Sequence, residues 1–322
     1  MGGCMSSEPG KSRFQLDLRR HLRSQNICNN LIHLICEIAE ASKYVIHAVR
    51  TGDLGVAGTS NLYGEEQLAL DVLSDRILRK RLTHSGVVCN IASEEMDDIY
   101  QAQTDGPDLY SVAYDPLDGS SLVDVNLSIG TIVSIYKGCN LLQEGRNQVA
   151  ALYILYGPRV SMVYSVGNGV HEFTMNSLNE YTLSRENITM APNGDIYAPG
   201  GLRKKYTPGT EKFVSYLEEK GSKLRYSGGF VPDINQVLMK GKGIFFYPAL
   251  KGSPKGKLRL LYELNPMAYL IEQAGGAASN GTIPILDVKP ESLDHREPVY
   301  IGCAEDVQKA VEFQAAFAGE NC

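Results

Sequence analysis

Two periods of apolar positions divide this chain. From Asn26 to Arg50 apolar residues recur at helical spacing (Ile27, Leu31, Leu34, Ile35, Ile38, Val45, Ile46, Val49), and Gly52 is a natural stop. A second helix is predicted from Glu65 to Thr83, with Leu68, Val72, Leu73, Ile77 and Leu82 on one face; the glycine-rich stretch DLGVAGTSNLYG between the two reads as a loop. The period then drops from 3.6 to 2. GVVCNIAS reads as a short buried strand ending on Glu94 and Glu95, and LYSVAY as another ending on Asp115. SIGTIVSIYKG and VAALYILYGPRVSMVYSVGNGVHEF are strand-rich, broken at Gly157-Pro158 and Gly167-Asn168-Gly169.

Around residues 185–200 the hairpin pattern stops, and ITMAPNGDIYAPGG reads as a passage between two units. Beyond it helices alternate with strands: TEKFVSYLEEKG, PDINQVLMKG, strand GIFFYPA, helix NPMAYLIEQAGG, strand VYIGC and a last helix from Ala304 to Ala318. The order predicts an α/β protein of two packed halves: a leader over 1–12, an N-terminal unit over 13–186 and a C-terminal unit over 187–322. A chain of 322 residues is long enough for this.

Composition narrows the function. A net charge of −6 argues against a nucleic-acid partner, because phosphate backbones select basic surfaces, yet local basic clusters can still take an anionic small substrate. The seven cysteines are scattered with no C-x-x-C pair, which predicts reduced thiols and a cytoplasmic protein; the six histidines show no zinc-ligand spacing. There is no membrane-spanning apolar run. The start, MGGCMSS, fits the N-myristoylation pattern, with Cys4 open to a second acyl chain; membrane contact is expected only if that leader is acylated.

The candidate chemistry is acidic. Glu94-Glu95, Asp115 with Asp118, and Glu263 all fall where strands end or a helix begins, which is where open α/β sheets collect ligands. Carboxylates grouped there repel one another unless a cation sits among them. With Asp and Glu as the only candidate ligands, the cation is hard: Mg²⁺, with Mn²⁺ as a substitute. In DPLDGSS, Pro116 stiffens the turn so that Asp118 returns to the same cation and the Leu117 carbonyl joins it. Gly119 allows close backbone approach, and Ser120 and Ser121 offer donors to a phosphate. Two cations facing a phosphate can hold the attacking water and the leaving oxygen of an in-line displacement. As a lone motif DPLDG is also an ordinary turn; the joint occurrence of the three segments favours the metal reading.

SEE (93–95), DPLDGSS (115–121) and KLRLLYELNPMAYLIEQAGG (257–276) together resemble the class I fructose-1,6-bisphosphatase and sedoheptulose-1,7-bisphosphatase family. The resemblance implies a layered αβαβα sugar-phosphatase fold and Mg²⁺-dependent hydrolysis of the 1-phosphate of a ketose bisphosphate, with two or more cations per site. It implies Glu94, Glu95, Asp115, Asp118, Glu263 and the Leu117 carbonyl as ligands, with Asp71 and the glutamate pair activating the water. Gly119, Ser120 and Ser121 would hold the reacting phosphate. Arg225, Tyr226, Tyr247, Lys257 and Arg259 are donors for the rest of the sugar bisphosphate, although such basic residues can equally form a solvated face. In the family the arginine at the Arg225 position reaches a neighbouring subunit's site, which implies a homo-oligomer, dimer or tetramer.

YAPGGLRKKY, with Gly200, Gly201 and Arg203, is more similar to the sedoheptulose branch than the Asn-Glu-Gly segment of the fructose branch would be. It suggests extra room for a seven-carbon sugar whose phosphate Arg203 would meet. Sedoheptulose 1,7-bisphosphate is therefore the first expectation and fructose 1,6-bisphosphate, alone or as a second substrate, the alternative: FFYPALKGSPKGKLRLLYELNPMAY keeps Tyr247 and reads like the fructose branch. Glu65 stands where that branch usually has Asp. The AMP-binding segment Gly-Thr-Gly-Glu-Leu-Thr and the paired loop cysteines of the plant sedoheptulose enzyme are absent from the sequence, so neither AMP nor thiol control is expected. An inositol- or nucleotide-type phosphatase would carry Asp after Trp in its second motif, and this chain has no Trp. A non-catalytic scaffold on the same fold would lack a ligand, and no acidic position is neutral here.

Overall fold

Period-two alternation in the strands sends successive side chains to opposite faces, and both faces are covered. The computed structural model describes residues 16–51, 56–60, 66–103, 106 and 108–320. The acylation pattern, Glu65 and most of the glycine-rich loop lie outside these residues. A short antiparallel pair, β1 (Val56–Ser60) and β2 (Glu66–Leu68), replaces part of the predicted loop and the first turn of the predicted second helix.

The large sheet contains β3 (Val88–Ser93), β4 (Tyr100–Gln101), β5 (Tyr110–Asp118), β6 (Ile129–Lys137), β7 (Gln148–Tyr156), β8 (Val160–Ser165), β9 (His171–Met175) and β10 (Tyr181–Arg185), in the order β10-β9-β8-β7-β6-β5-β3-β4. It is antiparallel except where β3 runs parallel to β5. The second sheet holds β11 (Ile196–Pro199), β12 (Lys223–Leu224), β13 (Ile244–Tyr247), β14 (Ala277–Ser279) and β15 (Val299–Gly302), in the order β12-β11-β13-β15-β14.

Five layers result. α1 (Leu18–Ser24), α2 (Asn29–Thr51) and α3 (Ala69–His84) cover one face of the large sheet, where Leu34, Ile38 and Leu78 meet Tyr114, Val133 and Leu152. The opposite face presents Ile132, Ala151 and Tyr153 to α5 (Phe230–Lys240) and α6 (Asn265–Gln273); the same helices also pack on Phe245, Val299 and Ile301 of the second sheet. The far side of that sheet, Ile244, Phe246 and Tyr300, packs on Phe213 of α4 (Pro208–Glu219) and Val307 of α7 (Ala304–Ala316). The layering is the αβαβα arrangement expected, and α5 and α6 serve both sheets.

Several elements escaped the sequence reading. β11 lies inside ITMAPNGDIYAPGG, the stretch expected to be a passage between units, because the neighbouring β13 supplies its pairing; β4, β12 and β14 are too short to show a period. α1 spans two turns, too short for its period to register; Asp17 caps it by accepting the Arg20 amide at 2.9 Å. β10 pairs with β9 although its outer residues are exposed, because a neighbouring strand supplies what its own pattern does not. The expectation of uniformly reduced thiols is corrected: Cys89 and Cys139 form a disulfide, while Cys28, Cys36 and Cys303 are free. Spacing in the chain hid this pair. β3 and β6 both flank β5, and that register brings residues 50 apart in sequence together. Among the described residues no helix is long and apolar enough to cross a membrane.

Candidate active site

The acidic segments converge at one end of the large sheet. Because β3 and β5 are parallel, both deliver their C-terminal ends to the same edge, and the Glu94 amide continues the ladder by donating to the Tyr114 carbonyl at 3.1 Å. Asp115 and Asp118 are three residues apart and would face opposite ways on a regular strand. A register break between Asp115, opposite Ile132, and Asp118, opposite Gly130, inserts the extra residue that turns both toward the pocket. Gly119 then adopts φ +76°, a left-handed turn that opens the short 3₁₀ helix Ser120–Val125.

Each carboxylate is held. Asp115 Oδ1 accepts the Leu117 amide at 2.9 Å. Asp118 sits at the N-terminus of α5, accepting the Val231 amide at 2.7 Å and the Phe230 amide at 3.4 Å. Glu263 lies in a π-helical turn, Leu260–Leu264, that leads into α6, and its Oε2 accepts the Arg259 amide at 2.6 Å. Arg259 is buried. Its guanidinium pairs with Glu94 and, at 2.9 Å, with Asp294. Asp71 lies in the first turn of α3, buried, and faces the same cavity.

The electrostatics are those of a site short of positive charge. Carboxylate oxygens of Asp115, Asp118 and Glu263, all buried, lie within 4.8 Å of one another. Burial, then repulsion from Glu94, Asp118 and Glu263, pushes Asp115 well above the usual carboxylate range. Glu263 is raised in the same way, by burial first and then by Glu94. Burial raises Asp118 to about 7 even though the Val231 and Phe230 amides pull it down. Side chains this desolvated do not ionise together without a counter-charge. An all-oxygen donor set with elevated carboxylate pKa values fits a hard divalent cation.

The cavity holds about 350 Å³ and is lined by Asp71, Glu94, Glu95, Asp115, Leu117, Asp118, Gly119, Ser120, Ser121, Tyr226, Tyr247, Lys257, Arg259 and Glu263 among others. Two predicted residues are not there. Arg203 turns to α4, where it pairs with Glu211 at 3.1 Å and Glu218 at 2.9 Å. Arg225 is exposed, its guanidinium donating to the Leu224 carbonyl, and it does not line this chain's own pocket. Gly200 does not leave room either: a Cβ there would lie 2.1 Å from the Tyr247 ring, so the ring occupies the space. Arg259, expected among the substrate donors, lines the cavity and pairs there with Glu94 and Asp294.

Sequence reasoning missed Arg296 and the Gly228–Gly229 turn, which also line the cavity. The Arg296 guanidinium donates to the Lys257 carbonyl at 3.3 Å across an isolated bridge between Arg259 and Arg296. Only that tertiary pairing brings DHREP to the site, so no local signal marked it.

The fructose-1-6-bisphosphatase N-terminal domain family matches residues 12–186, and its C-terminal domain family matches residues 190–315. The chain belongs to the fructose-1,6-bisphosphatase family. It is accordingly a hydrolase of the sugar-bisphosphate phosphatase type, in a metal-dependent family. It is 81% identical over 307 residues to the class 1 fructose-1,6-bisphosphatase of Geobacter sulfurreducens, covering 95% of this chain and 98% of the relative. Its fold resembles that of Leishmania major fructose-1,6-bisphosphatase in holo form, with a TM-score of 0.88, 31% identity, and coverage of 94% of this chain and 99% of the other. It also resembles a candidate sedoheptulose-1,7 bisphosphatase of Toxoplasma gondii, with a TM-score of 0.87, 30% identity and the same coverage. The fold is thus shared by both branches of the fructose-1,6-bisphosphatase family. The narrower expectation of the sedoheptulose branch is not supported, because the close relative is a fructose-1,6-bisphosphatase.

Proposed function

We propose that this chain hydrolyses the 1-phosphate of fructose 1,6-bisphosphate, giving fructose 6-phosphate and inorganic phosphate. The observation that carries the choice of sugar is the far end of the pocket. The two features that favoured a seven-carbon sugar are gone, since the Tyr247 ring fills the space beside Gly200 and Arg203 is spent on α4. The name of the relative at 81% identity supports the same reading.

Glu94, Glu95, Asp115, Asp118, Glu263 and the Leu117 carbonyl would hold Mg²⁺, two or more per site. The cations would neutralise charge on the reacting phosphate and make water more acidic. Gly119, Ser120 and Ser121 cradle the 1-phosphate at the start of the 3₁₀ turn. Asp71 and Glu95 orient the attacking water, and one of these carboxylates accepts its proton as the new P–O bond forms; the bond to the sugar oxygen breaks and that oxygen takes a proton from solvent. Tyr226, Tyr247 and Lys257 hold the sugar and the second phosphate, so that remote binding aligns the reacting end. Arg225, solvent-facing in one protomer, reaches the pocket of a neighbouring copy in a homo-oligomer. Asp294 and Arg296 position Arg259 and Lys257 respectively.

The test is kcat/KM for phosphate release from each ketose bisphosphate with Mg²⁺ present. Fructose 1,6-bisphosphate is expected to be the better substrate. An equal or higher value for sedoheptulose 1,7-bisphosphate would overturn the choice of sugar.

A further inference from the structure

A second cluster of ligating side chains lies at the other side of the large sheet, where β8, β9 and β10 form its far end and α1 docks. His21 of α1, His171 of β9 and Glu186, just after β10, each offer one ligand atom, and the three atoms lie within 4.8 Å of one another. Both imidazoles are almost fully buried, at 0% and 1% exposure, and His21 packs edge-on against His171 and Phe173. The Glu186 carboxylate is about half exposed and closes the cluster toward solvent, its Oε1 3.2 Å from His21 Nε2.

The hydrogen bonds around the rings have the pattern of a ligand set. His21 Nδ1 is paired with the Tyr164 hydroxyl, which leaves Nε2 facing Glu186. His171 Nε2 is 3.3 Å from the Asn168 carbonyl and so carries its proton there; its Nδ1 meets only the Asn187 amide, at 3.3 Å. His171 is fixed by its Nε2 on the Asn168 carbonyl, with Nδ1 accepting the Asn187 amide, and His21 is oriented by Tyr164 on Nδ1 and Glu186 on Nε2; outer partners of this kind orient the rings of metal-binding histidines. Asn187 takes φ +54°, a left-handed turn that folds the Glu186 segment back over the rings. Gln25, at the end of α1, has its side-chain amide nitrogen 3.4 Å from His21 Nε2, so its carboxamide borders the cluster.

We propose that His21, His171 and Glu186 form a binding site for a borderline transition-metal dication of the Zn²⁺ class, separate from the carboxylate pocket. Two imidazoles and one carboxylate suit Zn²⁺ and leave one position for water, whereas the carboxylate pocket has no nitrogen ligand and suits a hard cation. The site joins α1 to the β9–β10 hairpin, about 150 residues further along the chain. Its ion pins the first helix to the sheet edge.

Cobalt and zinc titrations of the chelator-stripped full chain test this. Co²⁺ held by imidazoles in a low-coordinate site absorbs visible light strongly, whereas Co²⁺ among six oxygens does so weakly, so the two sites are read separately. The wild type is expected to show the strong spectrum at one equivalent per chain, and Asp118→Asn to keep it. Glu186→Gln, a change at a solvent-facing side chain, is expected to weaken Zn²⁺ binding at this site by at least about tenfold. It should also abolish the Zn²⁺-dependent part of the rise in melting temperature. His171→Asn should remove the strong spectrum. A wild type without that spectrum, or a Glu186→Gln variant with unchanged Zn²⁺ affinity, would overturn the proposal, whether or not the His171 variant folds.

Discussion

The two ends of the candidate pocket were built differently, and they were legible to different degrees. Much of the reacting end comes from one short segment: a strand, a bulge, a positive-φ glycine and a 3₁₀ turn within Tyr110–Val125 place Asp115, Asp118, Ser120 and Ser121, with Asp71 and Glu263 added from α3 and the turn before α6. Strand parallelism adds Glu94 and Glu95. The far end is assembled from side chains that meet only after the second sheet has packed: Tyr226 follows β12, Tyr247 ends β13, and Lys257 and Arg296 lie on loops joined by one isolated bridge. Local motifs therefore fixed the chemistry well and the choice of sugar poorly.

The sharpest way to break the comparison is at the reacting end. Asp118→Asn keeps the shape but removes ligand charge, and phosphate release should fall by more than about 100-fold with the fold retained. Near-normal kcat in a folded variant would remove Asp118 from the metal site.

Next in size is a linkage effect. Asp118 moves from 3.8 to about 7 on folding without metal. The folded pocket prefers its protonated form, so this contribution to stability is complete below the unfolded value and is lost as pH rises through 7. Asp115 and Glu263 shift in the same direction. Mg²⁺ reverses the preference because it needs the ionised form. The gain in melting temperature on adding Mg²⁺ should therefore grow between about pH 5 and about pH 8. A gain that shrinks with pH would exclude these carboxylates as ligands.

The far end gives smaller effects. Gly200→Ala places a methyl against the Tyr247 ring, and overpacking of this kind costs about 1–3 kcal/mol. It should appear as lost stability together with a raised KM; a neutral result in both would mean the ring is free to move. Lys257→Ala should raise KM about tenfold with little change in kcat, the loss of one charged contact being worth roughly 1.5–3 kcal/mol at most. Arg203→Ala is the counterpart. Its exposed pairs with Glu211 and Glu218 are worth about 0–1 kcal/mol, and KM should stay within about twofold. A large KM effect at Arg203 and none at Lys257 would invert the assignment of this end.

Particular residues mark where the sequence reading ran out. Gly200 reads as space and Arg203 as a phosphate ligand because both depart from one branch's pattern; neither the Tyr247 ring nor the acidic face of α4 can be inferred from that segment alone. Arg259 reads from the sequence as a substrate donor or part of a solvated face; the structure buries it in the cavity wall beside Glu94. A lone arginine carries no periodic signal, and its role depends on which carboxylates fold around it. The Cys89–Cys139 pair and the His21–His171–Glu186 cluster were missed for the same reason. Strand register brings the cysteines together, and the docking of α1 on the β9–β10 hairpin brings His21 to His171 and Glu186.

The amino-acid sequence by itself determined the longer helices and strands, because a hydrophobic period of 3.6 or 2 is a local property of the chain. It also determined the acidic chemistry, because cation and phosphate binding needs particular side chains at short fixed spacings. The tertiary structure alone decided which basic residues face the substrate, which cysteines pair and where imidazoles converge. Those outcomes depend on distances between segments that the chain's order does not encode until the two sheets have packed on their shared helices.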